Sequence, residues 1–140
     1  MTTCALALIA SIAVQDAGAL AERYLAARTA AMQAAATPAD VDRVADLLTE
    51  NAIYEHPAFG MRISGRDAIR TAMAGQLGRT REVRSEIISR SGLRAVSALT
   101  EQLSFDARDG SGWTPVKRTQ LLLIESRDGK IAKIVEYWDK

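Results

Sequence analysis

Two periods divide the chain. Through about residue 77 apolar side chains recur every three to four positions, and after Arg81 they recur every two. The first period predicts helices and the second predicts strands. Residues 16–36 are alanine-rich, with Leu20, Tyr24, Leu25, Arg28 and Met32 marking one helical face. A second helix is expected from Thr37-Pro38-Ala39-Asp40. There Thr37 can cap, Pro38 suits the first helical position, and Asp40 favours the positive end of the dipole. Val41, Val44, Ala45 and Leu48 follow as one stripe, widened by Leu47. Residues 51–59 read as a short extended piece, because Pro57 forces His56 out of helix. A third helix begins near Ser64 or Gly65, carries Ile69, Met73 and Leu77, and ends at Gly78.

Strands are predicted over 83–90, 93–108, 116–126 and 131–138. They are joined by Ser91-Gly92, Asp109-Gly110-Ser111-Gly112 and Arg127-Asp128-Gly129-Lys130, glycine turns of hairpin length. Helices first and hairpins after predict an α+β fold, with antiparallel strands and the helices on one face. The length of 140 residues predicts one domain, over 16–140. Alternation sorts each strand into two sides. Leu99, Glu101, Leu103 and Phe105 share one side of their strand, and Ala98, Thr100, Gln102 and Ser104 the other. Likewise Lys117, Thr119, Leu121 and Leu123 oppose Arg118, Gln120, Leu122 and Ile124, while Ile134, Glu136 and Trp138 oppose Val135, Tyr137 and Asp139. Both faces carry large apolar residues. One must meet the helices, and self-association is a plain way to cover the other.

Composition narrows the chemistry. A net charge of +1 argues against a broad nucleic-acid footprint. One cysteine, Cys4, excludes an intrachain disulfide, and with His56 as the one histidine a structural zinc site is close to excluded. No carboxylate loop for Mg²⁺ or Ca²⁺ is recognisable, so no metal or cofactor is expected. Arg79, Arg81, Arg84 and Arg90 alternate with Glu82 and Glu86, which reads as a solvated edge strand. Residues 1–15 carry no charged side chain. The apolar run from Cys4 to Val14 has signal-peptide length and is too short to span a bilayer, so no membrane anchor is expected. Ser11-Ile12-Ala13 would allow cleavage after Ala13, but no Lys or Arg precedes the run. The two readings are an export signal and an N-terminal helical extension packed on the domain; they place the protein outside or inside the cytoplasm respectively.

Tyr54-Glu55-His56-Pro57, followed by Gly60 and by Gly65-Arg66-Asp67-Ala68-Ile69, resembles the strand, proline, glycine, helix signature of SnoaL-like domains. Asp128-Gly129-Lys130-Ile131, with Glu136-Tyr137-Trp138-Asp139, resembles the last hairpin of the same group, a branch of the nuclear transport factor 2 superfamily. The resemblance implies a cone: a curved, mostly antiparallel sheet whose concave face holds the N-terminal helices, with a mostly apolar pocket between them. Laid on the limonene-epoxide-hydrolase type, it implies a pocket face of Ala98, Thr100, Gln102, Ser104, Arg118, Gln120, Leu122, Ile134, Glu136 and Trp138. The opposite face, with Leu99, Leu103, Phe105, Leu121 and Leu123, would form a homodimer interface. Glu136 matches a catalytic carboxylate of those hydrolases, and Tyr54 and His56 lie near positions that hold the attacking water. The positions that supply the family's arginine and second aspartate are Gln102 and Ser104 here, so that triad is broken.

Each candidate has a functional and a structural reading. Glu136, flanked by Ile134 and Trp138, is either a pKa-tuned acid or base or half of a buried ion pair with Arg118. His56 can shuttle a proton or sit in a loop. Tyr54 and Trp138 can orient a ligand or fill the core. Arg118, Gln102 and Gln120 form either an internal network or a polar site for ligand, and Thr100 leaves room beside them. Glu101 and Asp139 are expected on the outer surface. Two functions follow. One is a cofactor-independent isomerase, hydrolase or cyclase acting on a small apolar substrate, with Glu136, Arg118 and His56 catalytic and Tyr54, Thr100, Gln102, Gln120 and Trp138 binding. The other is a non-catalytic small-molecule-binding or dimerisation module.

Overall fold

The computed structural model describes residues 16–138, so the signal-peptide expectation falls outside the described residues. Helix α1 spans Ala17–Ala31 and starts at Asp16, whose carboxylate accepts from the Ala19 N–H at 2.9 Å. It is shorter than the periodicity suggested, since residues 32–35 form turns and bends before the chain restarts. Helix α2, Pro38–Ala45, begins as expected at Thr37. The Asp40 carboxylate accepts from the Thr37 N–H at 2.8 Å, and that backbone bond holds Asp40 below its ordinary pKa. Helix α3 is Arg66–Ala74.

Among the described residues six strands form one mixed sheet. They are β1 (Leu48–His56), β2 (Met61–Ser64), β3 (Thr80–Gly92), β4 (Val96–Asp109), β5 (Gly112–Arg127) and β6 (Lys130–Tyr137), in the order β2-β1-β6-β5-β4-β3. Only β1 and β6 run parallel; every other pairing is antiparallel. Leu48, expected on the α2 stripe, instead opens β1 and is fully buried. Strand β2 gave no sequence signal, because it is four residues long and mostly exposed. Strand β3 is an edge strand, as its interleaved charges suggested. Its two register shifts, and one in β6 where it pairs with β5, bend the sheet. The β3–β4 turn requires glycine: at Gly92 φ is +148°, and a Cβ would stand 2.2 Å from the Val96 carbonyl oxygen.

Helix α1 crosses β3 to β6, and α3 covers β1 and β2, so the three helices of the described residues lie on one face of an open, curved sheet. Leu20, Val44, Leu48, Leu122, Ile124 and Ile134 fill the core between the layers, each at most 1% exposed. This is the expected α+β cone.

The register corrects one face assignment. Opposed residues in an antiparallel pair point to the same side. Leu99 faces Leu122, Glu101 faces Gln120, and Leu103 faces Arg118. The concave side therefore holds Leu99, Glu101, Leu103 and Phe105 together with Arg118, Gln120 and Leu122. Ala98, Thr100, Gln102 and Ser104 point the other way. A one-residue difference in parity exchanges every side chain of a strand. Of the expected dimer face only Leu121 and Leu123 remain outside.

Candidate functional site

The concave face encloses a cavity of about 470 Å³. Met61, Ile63, Ile69, Met73, Leu103 and Phe105 supply apolar wall, and Tyr24, Arg28, Tyr54, Gln76, Thr80, Arg118, Gln120, Glu136 and Trp138 supply the groups with polar atoms. Among the described residues, Glu136 is the one carboxylate that lines this cavity.

Glu136 stands on β6 with its backbone opposite Leu122, and it is 4% exposed. Tyr54, reaching across from β1, donates its hydroxyl to Glu136 Oε2 at 2.7 Å. From α1, the Tyr24 hydroxyl and Arg28 Nη1 each donate to Oε1 at 3.3 Å. A carboxylate offers about four lone-pair positions. Three donors leave it oriented with capacity for one more proton. Burial, with the negative charge of Glu136, pushes both tyrosine pKa values up, so both hydroxyls stay protonated donors.

Arg28 joins Glu136 to a second acid. Its Nη2 donates to both oxygens of Glu101 at 2.7 Å. Glu101 is fully buried, a correction to its expected place on the outer surface. It also accepts from Ser85 on β3 and from the side-chain amide of Gln120 on β5. Burial alone would lower the pKa of Arg28, but the charges of Glu136 and Glu101 override it and hold the guanidinium above its ordinary value. The chain Glu101–Arg28–Glu136 thus places an arginine and a second acid beside Glu136, at positions other than Gln102 and Ser104. Glu101 itself does not reach the cavity, so it anchors Arg28 and does not meet a ligand.

Arg118 enters from β5. Its Nε donates to Gln120 Oε1 at 3.1 Å, and its guanidinium stacks over the Trp138 ring at 4.0 Å. Burial, together with the positive charge of Arg28, lowers its pKa. His56 packs against Trp138 with ring centroids 3.5 Å apart and against Phe59 at 4.3 Å. It is fully buried, neither ring nitrogen has a hydrogen-bond partner, and it is absent from the cavity wall. Burial lowers its pKa, which keeps the ring neutral.

Of the residues singled out from sequence, Tyr54, Arg118, Gln120, Glu136 and Trp138 meet in the cavity. His56 lies behind Trp138. Thr100 and Gln102 lie on the convex face, since their backbones pair with Leu121 and Thr119. Asp139 lies outside the described residues. Tyr24, Arg28 and Glu101 were missed as site residues. No group of three or more His, Cys, Asp or Glu able to hold a metal occurs among the described residues, and none of their helices is long and apolar enough to cross a membrane.

Helices on the concave face of an open, bent sheet, with a polar cluster between them, define an α+β cone fold. The SnoaL-like domain model matches residues 29–134, and the chain belongs to that family. No curated protein matches it. Among solved structures it is similar to an LEH-like epoxide hydrolase of M. tuberculosis, with 23% identity, TM-score 0.65, and 86% of this chain and 83% of that one covered. It is also similar to a candidate SnoaL-like polyketide cyclase from Shewanella putrefaciens, with 12% identity, TM-score 0.72 and 86% and 87% covered. A third is a candidate ketosteroid isomerase from Kribbella flavida, with 19% identity, TM-score 0.63 and 87% and 76% covered. At these identities the likeness establishes the shared fold.

Proposed function

We propose that this protein is a cofactor-independent enzyme that moves a proton on a small, mostly apolar substrate, with Glu136 as the base. The observation that carries this reading is a single oriented carboxylate at the wall of an otherwise largely apolar cavity. A buried carboxylate beside neutral tyrosine donors can take a proton and return it. Ring opening by water, by contrast, calls for an acid and a base that both reach the substrate, and Glu101 does not reach it. Proton transfer at carbon, of isomerase or cyclase type, is therefore favoured over hydrolysis. Tyr54 positions Glu136, Arg118 meets negative charge on the ligand, and Gln120 and Trp138 fix Arg118.

The test is a panel of β,γ-unsaturated ketones, β-dicarbonyl compounds and cyclic epoxides in D₂O, followed by NMR. Deuterium should enter the carbon acids faster with the wild type than in protein-free buffer, and no faster than in buffer with Glu136→Gln. Diol formation without carbon exchange would replace this reading with a hydrolase.

A second reading, a non-catalytic small-molecule-binding module, is favoured by one observation: three protein donors already occupy most of the acceptor positions of Glu136. Binding without turnover by any panel member would select it. We also propose a homodimer through the convex face, where Leu121 and Tyr137 are 51% and 40% exposed and oppose each other on β5 and β6.

A further inference from the structure

Building on the reading of this cavity as a ligand site, we propose that the ligand is a small apolar carboxylic acid and that Arg118 grips its carboxylate. Two guanidinium groups line the cavity, and their situations differ. Arg28 is bonded to both internal acids. Arg118 has no carboxylate partner among the described residues; its one hydrogen bond goes to the neutral Gln120 amide. A guanidinium has five N–H donors in a fixed fork. With Nε committed to Gln120, both terminal nitrogens stay available, the edge that receives a carboxylate through two parallel bonds.

That edge is held in place before any ligand arrives. Trp138 supports the guanidinium plane from one side at 4.0 Å, and Phe105 lies 5.4 Å from it. Gln120 cannot turn freely, because its amide nitrogen donates to the buried Glu101 while its oxygen accepts from Arg118. Arg118 is thereby tied to the most deeply buried acid of the fold, and little side-chain freedom remains to be lost on binding.

The chemistry of the ligand follows from the donors left unused. The charges of Glu101, Glu136, Arg28 and Arg118 balance overall, but Arg28 is bonded to both acids and no carboxylate of the described residues meets the half-buried guanidinium of Arg118. Its free terminal N–H groups are met best by a charged acceptor with two oxygens from outside. A neutral carbonyl or alcohol would offer that edge a single acceptor oxygen. A dianionic phosphate would be repelled by Glu136, which shares the cavity. The wall of Met61, Ile63, Met73 and Leu103 requires that the rest of the molecule be apolar. Trp138, under Arg118, lies two residues past Glu136, just beyond the end of β6, about 6.7 Å away if the chain stays extended. One small molecule therefore spans from its carboxylate to a carbon acid at Glu136.

The test compares 4-phenylbutanoate with its neutral isostere 4-phenylbutanamide, by calorimetric titration of the full chain at neutral pH. The wild type should bind the carboxylate about ten- to a hundredfold more tightly than the amide, as a charged hydrogen-bonded pair confers. Arg118→Gln should bring the two affinities to within about threefold, and Arg118→Lys should keep part of the preference. Glu136→Gln should retain it. A melting curve confirms that each variant is folded, and if Arg118→Gln is not, Arg118→Lys carries the comparison. Equal affinity for both probes, an unchanged ratio in the folded Arg118 variant, or no binding of the carboxylate at about 10 mM would overturn the assignment. If the preference depends on Arg118 while Glu136→Gln still turns over substrate, the ligand class stands and the proton-transfer reading falls.

Discussion

Glu101→Gln keeps the shape of the side chain and removes its charge, which isolates what the buried ion pair contributes. In the wild type Arg28 is 6% exposed and donates to both oxygens of a carboxylate that is fully buried. The amide offers Arg28 one acceptor in place of two. It turns its own N–H groups toward the Ser85 or Gln120 donors that faced Glu101. Breaking a buried pair from one side costs about 3–5 kcal/mol. Glu136 still shares Arg28, so the lower half of that range is expected, about 3–4 kcal/mol. This is at least about a fifth of the stability typical of a domain, about 5–15 kcal/mol. For a chain of this length it corresponds to a fall in Tm of roughly 10–15 °C. Urea unfolding at neutral pH, with the slope checked for constancy, measures it directly. Arg28→Met combined with Glu101→Leu removes both charges and should cost much less than the two single changes added. The coupling should be at least about 2 kcal/mol. A Glu101→Gln cost below about 1 kcal/mol, or strictly additive single changes, would refute the view that Glu101 anchors Arg28.

Two further outcomes follow. The pKa of His56 is lowered in the folded state by burial and by Arg118, so the unfolded chain binds its proton more readily. The stability His56 contributes is present above its unfolded pKa of about 6.5 and is lost as pH falls through its lower folded value. His56→Leu should therefore flatten the decline of Tm just below that pH, relative to wild type; an unchanged slope would show that His56 is not the group responsible. Sedimentation velocity should find a dimer for the wild type and a monomer for Leu121→Arg, whereas a monomeric wild type would remove the convex-face interface.

Much of the fold is legible in the chain because its signals are local. The change of period near Arg81, the Thr37-Pro38 start and the three glycine turns each act over a few residues. Strand β2 was not legible, since four mostly exposed residues carry no alternation. The site divided differently. Glu136, Arg118 and Gln120 fell on the concave face because β5 and β6 alternate cleanly. Thr100 and Gln102 were misplaced by taking β4 from a resemblance, though its parity was present in the sequence. Asp109 pairs with Gly112 around Gly110-Ser111, with Gly110 at φ +58°. A two-residue hairpin of that kind fixes which residues oppose each other, and it sets odd positions of β4 against even positions of β5. Glu101 was then the signal, a charge among Leu99, Leu103 and Phe105. Arg28 was the same kind of signal on α1, eight residues from Leu20 and four from Tyr24. That these two charges meet is not readable from either segment alone, because 73 positions separate them and only the packing of α1 on the sheet brings them together.

The central claim is that the carboxylate of Glu136 does the chemistry of the cavity. Its most direct measurement is kcat/KM for the best carbon acid of the panel, in wild type and in Glu136→Gln, with both proteins shown to be folded. A loss of about a hundredfold or more is expected, as removal of a general base entails. Values agreeing within about tenfold, on a variant that melts normally, would contradict it.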